Sequence, residues 1–375
     1  MPAPSDIISL ASGYGNFDTP PVALARATQA LASPLPLSPV HGLPELRAAL
    51  AARFLAQGAS VSAEQVVVTP GAKPALFALF NTLLCPGDEV LLPTPNWFGF
   101  RGMVEKAGGT LRTLPLSPTD DYALTPDQLR AALTPATRIL LLSNPNNPTG
   151  RVYHRAELAA LLAVTREFPE LRVVADEIYD HVSFGPERVP SLLEFPDPLS
   201  QHIVVNGFSK ALALIGWAVG YLIAPIGIAH ACTGWQFATS TAVPVPNQLA
   251  ALAATEAAAD ITAELRAHLA PNRALLLWEL AALPHVRCTV PEGTYYAFPD
   301  FSAYLDLAND PAHSATNASA VFCLNLYAAG LDVVDGGTCG APGFARISYA
   351  VPEPVLREGL QRLKAALAAL EVARP

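Results

Sequence analysis

The amino-acid sequence predicts an α/β protein with a mainly parallel sheet covered by helices, followed by a smaller α+β unit. The middle of the chain alternates short apolar runs with longer amphipathic stretches, which is the pattern of parallel strands joined by helices. From about residue 271 the pattern changes to a long helix rich in alanine and leucine, then β-like runs and a closing helix. A chain of 375 residues exceeds one average domain and falls short of three, so we expect one large domain and a smaller companion.

The individual strands and helices are predicted from the spacing of apolar residues. Short apolar runs indicate strands at residues 89–92, 138–142, 171–175, 203–205 and 221–224. Apolar residues that recur at steps of three and four indicate helices at residues 74–84, 155–166 and 246–258. In the second unit we expect β-structure at residues 295–298 and 345–349, and a final helix at residues 354–370.

Composition and charge exclude several classes of protein. Hydrophobic residues make up 51% of the chain and charged residues 15%, which excludes wholesale disorder. The net charge of -9 and the lack of a Lys/Arg run argue against nucleic-acid binding. Because the start of the chain is not basic and no long apolar stretch follows, we expect a cytoplasmic protein that does not bind membranes. The five cysteines form no CxxC pair and the eight histidines show no ligand spacing, so we expect no metal site.

Residues with chemically active side chains follow four of the predicted strands. Trp97 follows the first apolar run and Asn147 lies in NPNNPTG after the second. Asp176 and Tyr179 come at the end of the third, and Lys210 follows the fourth. Ligands of open parallel sheets bind beyond the carboxyl ends of the strands. We therefore expect these five side chains to meet in one pocket.

Lys210 and Asp176 each have two interpretations from the local sequence. Lys210 is either an exposed structural lysine or a buried amine, whose pKa is lowered by desolvation so that it can attack an aldehyde. Asp176 is either a helix N-cap or a buried carboxylate, which needs a cationic partner such as a protonated pyridine nitrogen.

Gly71, Ala72 and Lys73 precede Pro74 at the start of a predicted helix, directly after the apolar run VVVTP. Free backbone amides at a helix N-terminus attract a phosphate group. The segment matches neither the P-loop nor the dinucleotide-binding glycine pattern, so a plain strand-to-helix turn is the alternative.

Five segments together resemble the class I and II aminotransferases of fold type I. They are TPGAKPALFALFNTLLCPGDEVLLPTPNWFGF, SNPNNPTG, VVADEIYDHVSF, NGFSKALALIGWAVGY and GFARISYA, and the match extends over nearly the whole chain. The resemblance implies pyridoxal 5'-phosphate as cofactor, an amino acid and a 2-keto acid as substrates, and a homodimer with shared active sites. It also implies a seven-stranded sheet in a large cofactor-binding domain over residues 42–270. Residues 1–41 and 271–375 would form an N-terminal arm and a small domain.

Carried over to matching positions, the resemblance assigns catalytic and cofactor-binding roles. Lys210 resembles the lysine that forms the Schiff base and moves the proton between the substrate Cα and the cofactor. Asp176 resembles the carboxylate that keeps the pyridine nitrogen protonated. Tyr179 and Asn147 resemble the pair that hydrogen-bonds the phenolic oxygen, and Trp97 resembles the aromatic side chain stacked on the ring.

Further positions resemble the contacts to the substrate carboxylate and the phosphate. Arg346 resembles the arginine that grips the substrate α-carboxylate with two parallel hydrogen bonds, a geometry that lysine cannot copy. Gly13 resembles the backbone contact beside it, and Asn147 also faces the substrate. The phosphate-binding cup is matched in part, by Gly71, Ala72, Lys73 and Ser209.

Three positions depart from the family pattern, all on the phosphate side. Ala218 stands where the family usually has an arginine, Gly207 where a hydroxyl residue is usual, and Leu37 where a tyrosine is usual. Losing a charge-assisted contact of this kind weakens cofactor binding by about 1.5 to 3 kcal/mol. We expect Lys73, or a residue of a second subunit near positions 240–241, to compensate.

The resemblance leaves three functions open. Transamination is favoured because Lys210, Asp176, Tyr179 and Arg346 are all present. Fold type I also includes C–S and β-lyases, racemases and decarboxylases. A binding protein without turnover is the third alternative, because the phosphate contacts are incomplete. Three aromatic residues favour an apolar or aromatic substrate side chain over an acidic one, namely Tyr14, Trp235 and Tyr295.

Overall fold

The computed structural model describes residues 6–305 and 315–372. Its strands are β1 (Ile8–Ser9), β2 (Val66–Thr69), β3 (Glu89–Thr94), β4 (Thr110–Pro115), β5 (Thr137–Ser143), β6 (Arg172–Asp176), β7 (His202–Gly207), β8 (Gly220–Ile223), β9 (Tyr296–Ala297), β10 (Leu331–Asp332), β11 (Val334–Asp335) and β12 (Ala345–Ser348). Its α-helices are α1 (Pro21–Leu31), α2 (Pro44–Ala56), α3 (Ala72–Leu83), α4 (Gly99–Lys106), α5 (Pro126–Ala132), α6 (Arg155–Thr165), α7 (Ile226–Thr239), α8 (Val245–Glu256), α9 (Ala258–Ala281), α10 (Ala315–Ala328) and α11 (Glu353–Val372).

Seven strands form the central sheet, in the order β2-β8-β7-β6-β5-β3-β4. Strands β3 to β7 pair in parallel, whereas β8 runs antiparallel to both β2 and β7. Successive residues of β5 pack into two different cores, with Leu140 and Leu142 in one and Ile139 and Leu141 in the other. Burial on both faces explains why these strands are continuous apolar runs in the sequence. The predicted fold class, a mainly parallel seven-stranded sheet covered by helices, is confirmed.

The predicted strands and helices agree with the structure to within two residues at most ends. The two edge strands of the central sheet, β2 and β4, were not among the predicted strands. The residues of β4 are exposed or only partly buried and include polar ones. The start of the long Ala/Leu-rich helix was predicted wrongly. Pro271 lies inside α9, which already begins at residue 258. The proposed domain boundary at residues 270–271 therefore falls within a continuous helix, and the division into domains stays a prediction.

A third core forms around the smaller β-structure. Strands β11, β12 and β9 make an antiparallel sheet, and β1 pairs in parallel with β10. Their apolar side chains pack with those of α9, α10 and α11. Because Ile8 pairs with Leu331 and Ser348 N donates to Leu10 O at 2.8 Å, the N-terminal segment is fixed between these strands. Residues 11–14 are thereby placed over the carboxyl ends of the central strands.

Within the described ranges, no helix is long and apolar enough to cross a membrane. The same ranges contain no group of three or more His, Cys, Asp and Glu side chains that could hold a metal ion. The cysteines form no disulfide; Cys232 and Cys339 are buried, whereas Cys85 is exposed.

Candidate active site

A cavity of about 630 Å³ lies at the carboxyl ends of the central strands. It is bounded by the ends of β5 and β6, by the loop after β7, by the start of α3, and by the N-terminal segment. All the residues predicted for the site line this one cavity, namely Gly13, Gly71, Ala72, Lys73, Trp97, Asn147, Asp176, Tyr179, Ser209, Lys210 and Arg346. Their predicted convergence is thus observed, while the role of each side chain stays a prediction.

Lys210 carries a largely buried amine. Its Nζ donates a hydrogen bond of 2.5 Å to the carbonyl of Gly13 and lies 3.6 Å from the centroid of the Tyr14 ring. Burial, followed by the positive charges of Arg346 and Lys73, lowers the pKa of Lys210 to about 7. A substantial share of the amine is therefore neutral and nucleophilic near neutral pH, which favours the buried-amine interpretation over an exposed structural lysine.

Asp176 is the last residue of β6 and faces the cavity. No helix begins there; its Oδ1 accepts a hydrogen bond of 3.2 Å from the amide of Ile178 in a turn. Burial raises the pKa of Asp176 to about 6, although the Ile178 hydrogen bond and the charge of Lys210 act in the opposite direction. A carboxylate with so few donors is stabilised by a cation bound in the cavity, such as a protonated pyridine nitrogen.

The start of α3 forms the anion-binding end of the cavity. Gly71, with φ of 107°, precedes the helix, and no side chain caps it. The first backbone amides of the helix are therefore left for a ligand, and they attract an anion. Gly220 makes this arrangement possible, because a Cβ at that position would lie 2.4 Å from the carbonyl carbon of Gly71 and 2.5 Å from the amide nitrogen of Ala72. The ammonium group of Lys73 lies 5.3 Å from the centroid of the Trp97 ring at the same end.

Arg346 forms the opposite end of the cavity. Its side chain is buried, with 3% of the residue exposed. Nη1 donates to Asn147 Oδ1 at 3.0 Å and Nη2 donates to the carbonyl of Ala11 at 2.8 Å. The Nε atom is buried and has no partner within the described residues. The guanidinium group thus has donor capacity left for a carboxylate, and its carbon lies 4.3 Å from the centroid of the Tyr296 ring.

Tyr296 is a site residue that the sequence reasoning missed. Its hydroxyl shares a hydrogen bond of 2.7 Å with the hydroxyl of Tyr179 and donates to the carbonyl of Gly13 at 3.2 Å. Tyr295 also donates to that carbonyl, at 3.0 Å, from behind the cavity wall. Burial raises the pKa of Tyr179 well above its usual value of 10, so its hydroxyl stays protonated. The signal in the sequence was an aromatic pair in a short β-run, which does not reveal a partner more than a hundred residues away.

The positions that depart from the family pattern lie in different places. Ala218 lines the cavity but its methyl side chain offers no charge or hydrogen-bond donor there. Gly207 is buried at the end of β7. Leu37 is 89% exposed and does not line the cavity, and neither do residues 240–241. Of the groups predicted to compensate for the missing arginine, Lys73 is thus the one that this chain itself places in the cavity.

The side chains fit the functional groups of pyridoxal 5'-phosphate. A partly neutral amine suits an aldehyde, and the carboxylate of Asp176 suits a pyridine nitrogen. The uncapped start of α3 and Lys73 suit a phosphate group, and the ring of Trp97 suits a flat aromatic face. Arg346 is left for the carboxylate of a substrate.

Comparisons with known proteins agree with this geometry. A family model described as aminotransferase class I and II matches residues 5–363. The aspartate/prephenate aminotransferase of Thermus thermophilus is 36% identical, with 95% of this chain and 90% of the relative covered. The corresponding enzyme of Cereibacter sphaeroides is 35% identical, with 97% and 92% covered. The crystal structure of the Rhizobium meliloti aspartate aminotransferase superposes with a TM-score of 0.90 at 30% identity, covering 97% of this chain and 92% of that one. The chain therefore belongs to the class I and II aminotransferases, enzymes that depend on pyridoxal 5'-phosphate.

Proposed function

We propose that this aminotransferase transfers an amino group between an amino acid and a 2-keto acid, with Lys210 as the residue that bonds to the cofactor. The observation that carries the proposal is the buried amine of Lys210, in one cavity with the carboxylate of Asp176 and the guanidinium of Arg346. When bound, the cofactor supplies an aldehyde and a ring that accepts electrons. With the cofactor bound, Lys210 would act as the general acid and base that moves the proton at the substrate Cα.

The other side chains hold the reactants in place. Asp176 would pair with the pyridine nitrogen of the cofactor, and Tyr179 and Asn147 would hydrogen-bond its phenolic oxygen. Trp97 would hold the ring, and Arg346 would bind the substrate α-carboxylate beside the backbone of Gly13. The phosphate group would be held by Gly71, Ala72 and Lys73 at the start of α3 and by Ser209, which precedes Lys210.

A homodimer in the cytoplasm is part of the proposal. Large apolar side chains are exposed on α7 and on the segment before α2, among them Leu35, Leu37, Trp235 and Phe237. Large apolar side chains that are exposed in a single chain are often covered at a protein interface. Several relatives are named for aspartate and prephenate, so these acids belong in the first set of substrates to be tested.

The test is an amino-acid and 2-keto-acid panel on the cofactor-loaded protein, with both products quantified. Equal amounts of new keto acid and new amino acid are expected. Free ammonia, a D-amino acid or CO₂ as the main product would instead indicate a lyase, a racemase or a decarboxylase. Lys210→Ala should abolish turnover, whereas Lys106→Ala, at an exposed position on α4, should not change it. Full activity of Lys210→Ala would overturn the proposal.

A further inference from the structure

Three of the apolar side chains that line the cavity are Tyr14, Phe98 and Val334, and we call them together the apolar wall. We infer that this wall receives the substrate side chain, and that the enzyme selects an amino acid with an apolar or aromatic side chain over aspartate. The inference rests on the proposed function, because it concerns the substrate of the same site.

Tyr14 brings the wall next to the reacting amine. A turn holds the residue, since the Tyr14 amide donates to Ser12 Oγ at 3.0 Å and Ser12 Oγ donates to the Tyr14 carbonyl at 2.7 Å. The centroid of its ring lies 3.6 Å from Lys210 Nζ. Tyr14 lines the cavity and 54% of the residue is exposed, so part of its surface is available to a ligand.

Phe98 and Val334 place the apolar wall near Arg346, the residue proposed to bind the substrate α-carboxylate. Val334 in β11 pairs directly with Arg346 in β12. Phe98 follows Trp97 and is 47% exposed. The Asn96 amide donates to the carbonyl of Cys339 at 3.0 Å, which joins the loop of Phe98 to the turn after β11. A substrate held by Arg346 and Lys210 therefore has apolar surface close to both of its fixed points.

The positively charged side chains of the cavity are all assigned to groups other than the substrate side chain. Among the described residues that line it, the cationic side chains are Lys73 at the phosphate end, the reacting Lys210 and the clamp Arg346. A second carboxylate on the substrate would leave water to face the apolar wall, which is unfavourable without a partner. The exposed apolar side chains of the proposed dimer surface lie within residues 27–46 and 226–262. These two ranges contain neither Lys nor Arg. A second copy bound through them would add further apolar surface.

Single-turnover measurements on the cofactor-loaded protein test the inference without an amino acceptor. The change in cofactor absorbance is followed with L-phenylalanine, L-leucine, L-alanine and L-aspartate. We expect the second-order rate constants for phenylalanine and leucine to exceed that for aspartate about tenfold or more, the range over which apolar pockets discriminate. Aspartate reacting as fast as phenylalanine would overturn the inference alone. No reaction with any of the four would overturn the proposed function as well.

Variants test whether the wall itself is responsible. Phe98→Ala and Tyr14→Ala should lower the rate constant for phenylalanine about tenfold relative to that for alanine. Because both substrates are measured on the same variant, a partial loss of folded protein cancels from the ratio. Trp278→Ala, at a 68% exposed position on α9 outside the cavity, should leave the ratio unchanged. An unchanged ratio in both wall variants would overturn the assignment.

Discussion

Replacing Lys73 by methionine tests how the cofactor phosphate is held beside Ala218. Lys73 lines the cavity at the start of α3, where its ammonium group lies 5.3 Å from the centroid of the Trp97 ring. Ala218 lines the same cavity and contributes no charge. The phosphate is therefore expected to depend on the α3 amides and on the single positive charge of Lys73 at this end.

The expected loss follows from the strength of a hydrogen bond to a charged group. Such a bond contributes about 1.5 to 3 kcal/mol. At about 1.4 kcal/mol for each factor of ten, Lys73→Met should raise the dissociation constant of the cofactor about 10- to 150-fold. Ala218→Arg supplies a second charge, so it should tighten binding and make the loss from Lys73→Met smaller.

The assay is an absorbance titration of the cofactor-free protein with pyridoxal 5'-phosphate and, separately, with pyridoxal, which lacks the phosphate. Lys73→Met should weaken binding of the first compound and leave binding of the second nearly unchanged. Lys106→Met, at an exposed position on α4, is the matched control. Equal losses for both compounds would show that Lys73 acts on something other than the phosphate. A double variant with fully additive effects would show that Ala218 and Lys73 do not serve the same group.

Three further predictions concern packing, substrate binding and pH. Gly220→Ala places a Cβ 2.4 Å from the backbone of Gly71 and should lower the free energy of unfolding by about 1–3 kcal/mol in urea titrations. Gly227→Ala on α7 meets no atom within 4 Å and should not destabilise; equal effects of the two would contradict the packing argument. Arg346→Lys should lower kcat/KM about 10- to 150-fold in protein that is still folded at the assay temperature, because lysine cannot make two parallel hydrogen bonds to a carboxylate; an unchanged kcat/KM would refute the assigned role of Arg346. Burial raises the pKa of Glu177 in the folded protein to about 8, whereas the unfolded chain releases this proton at lower pH. The contribution of Glu177 to the free energy of unfolding therefore decreases as the pH rises from about 5 to 8. Glu177→Gln should flatten that part of the curve of Tm against pH, and an unchanged slope would disprove it.

The central part of the fold could be predicted because its signal is local. Strands such as β5 and β7 are buried on both faces, so they appear as continuous apolar runs. Lys210 and Asp176 follow such runs directly, and the parallel sheet brings their ends together. Strand β4 was missed since an edge strand needs less apolar surface. Pro271 was misread as the start of a helix because proline is usual at the first position and unusual in the interior of a helix, where α9 accommodates it.

The missing parts of the site depend on contacts between distant parts of the chain. The bond between Tyr179 and Tyr296 joins residues 117 positions apart. The carbonyl of Ala11 meets Arg346 across 335 positions. No local pattern of apolar residues encodes such a pair. A short β-run predicts a strand, but only its register in the sheet determines which side chain faces the cavity.

The pairing of β1 with β10 has a consequence for the order in which the enzyme becomes complete. Ile8 pairs with Leu331, and the carbonyl of Ala11 accepts a hydrogen bond from Arg346, so the segment that carries Gly13 is fixed by residues synthesised more than 300 positions later. Until then the Gly13 carbonyl is not fixed over Lys210, and the amine is open to water. A nascent chain that contains the whole central sheet but ends before residue 331 therefore lacks the strand pairing that positions the Gly13 carbonyl beside Lys210.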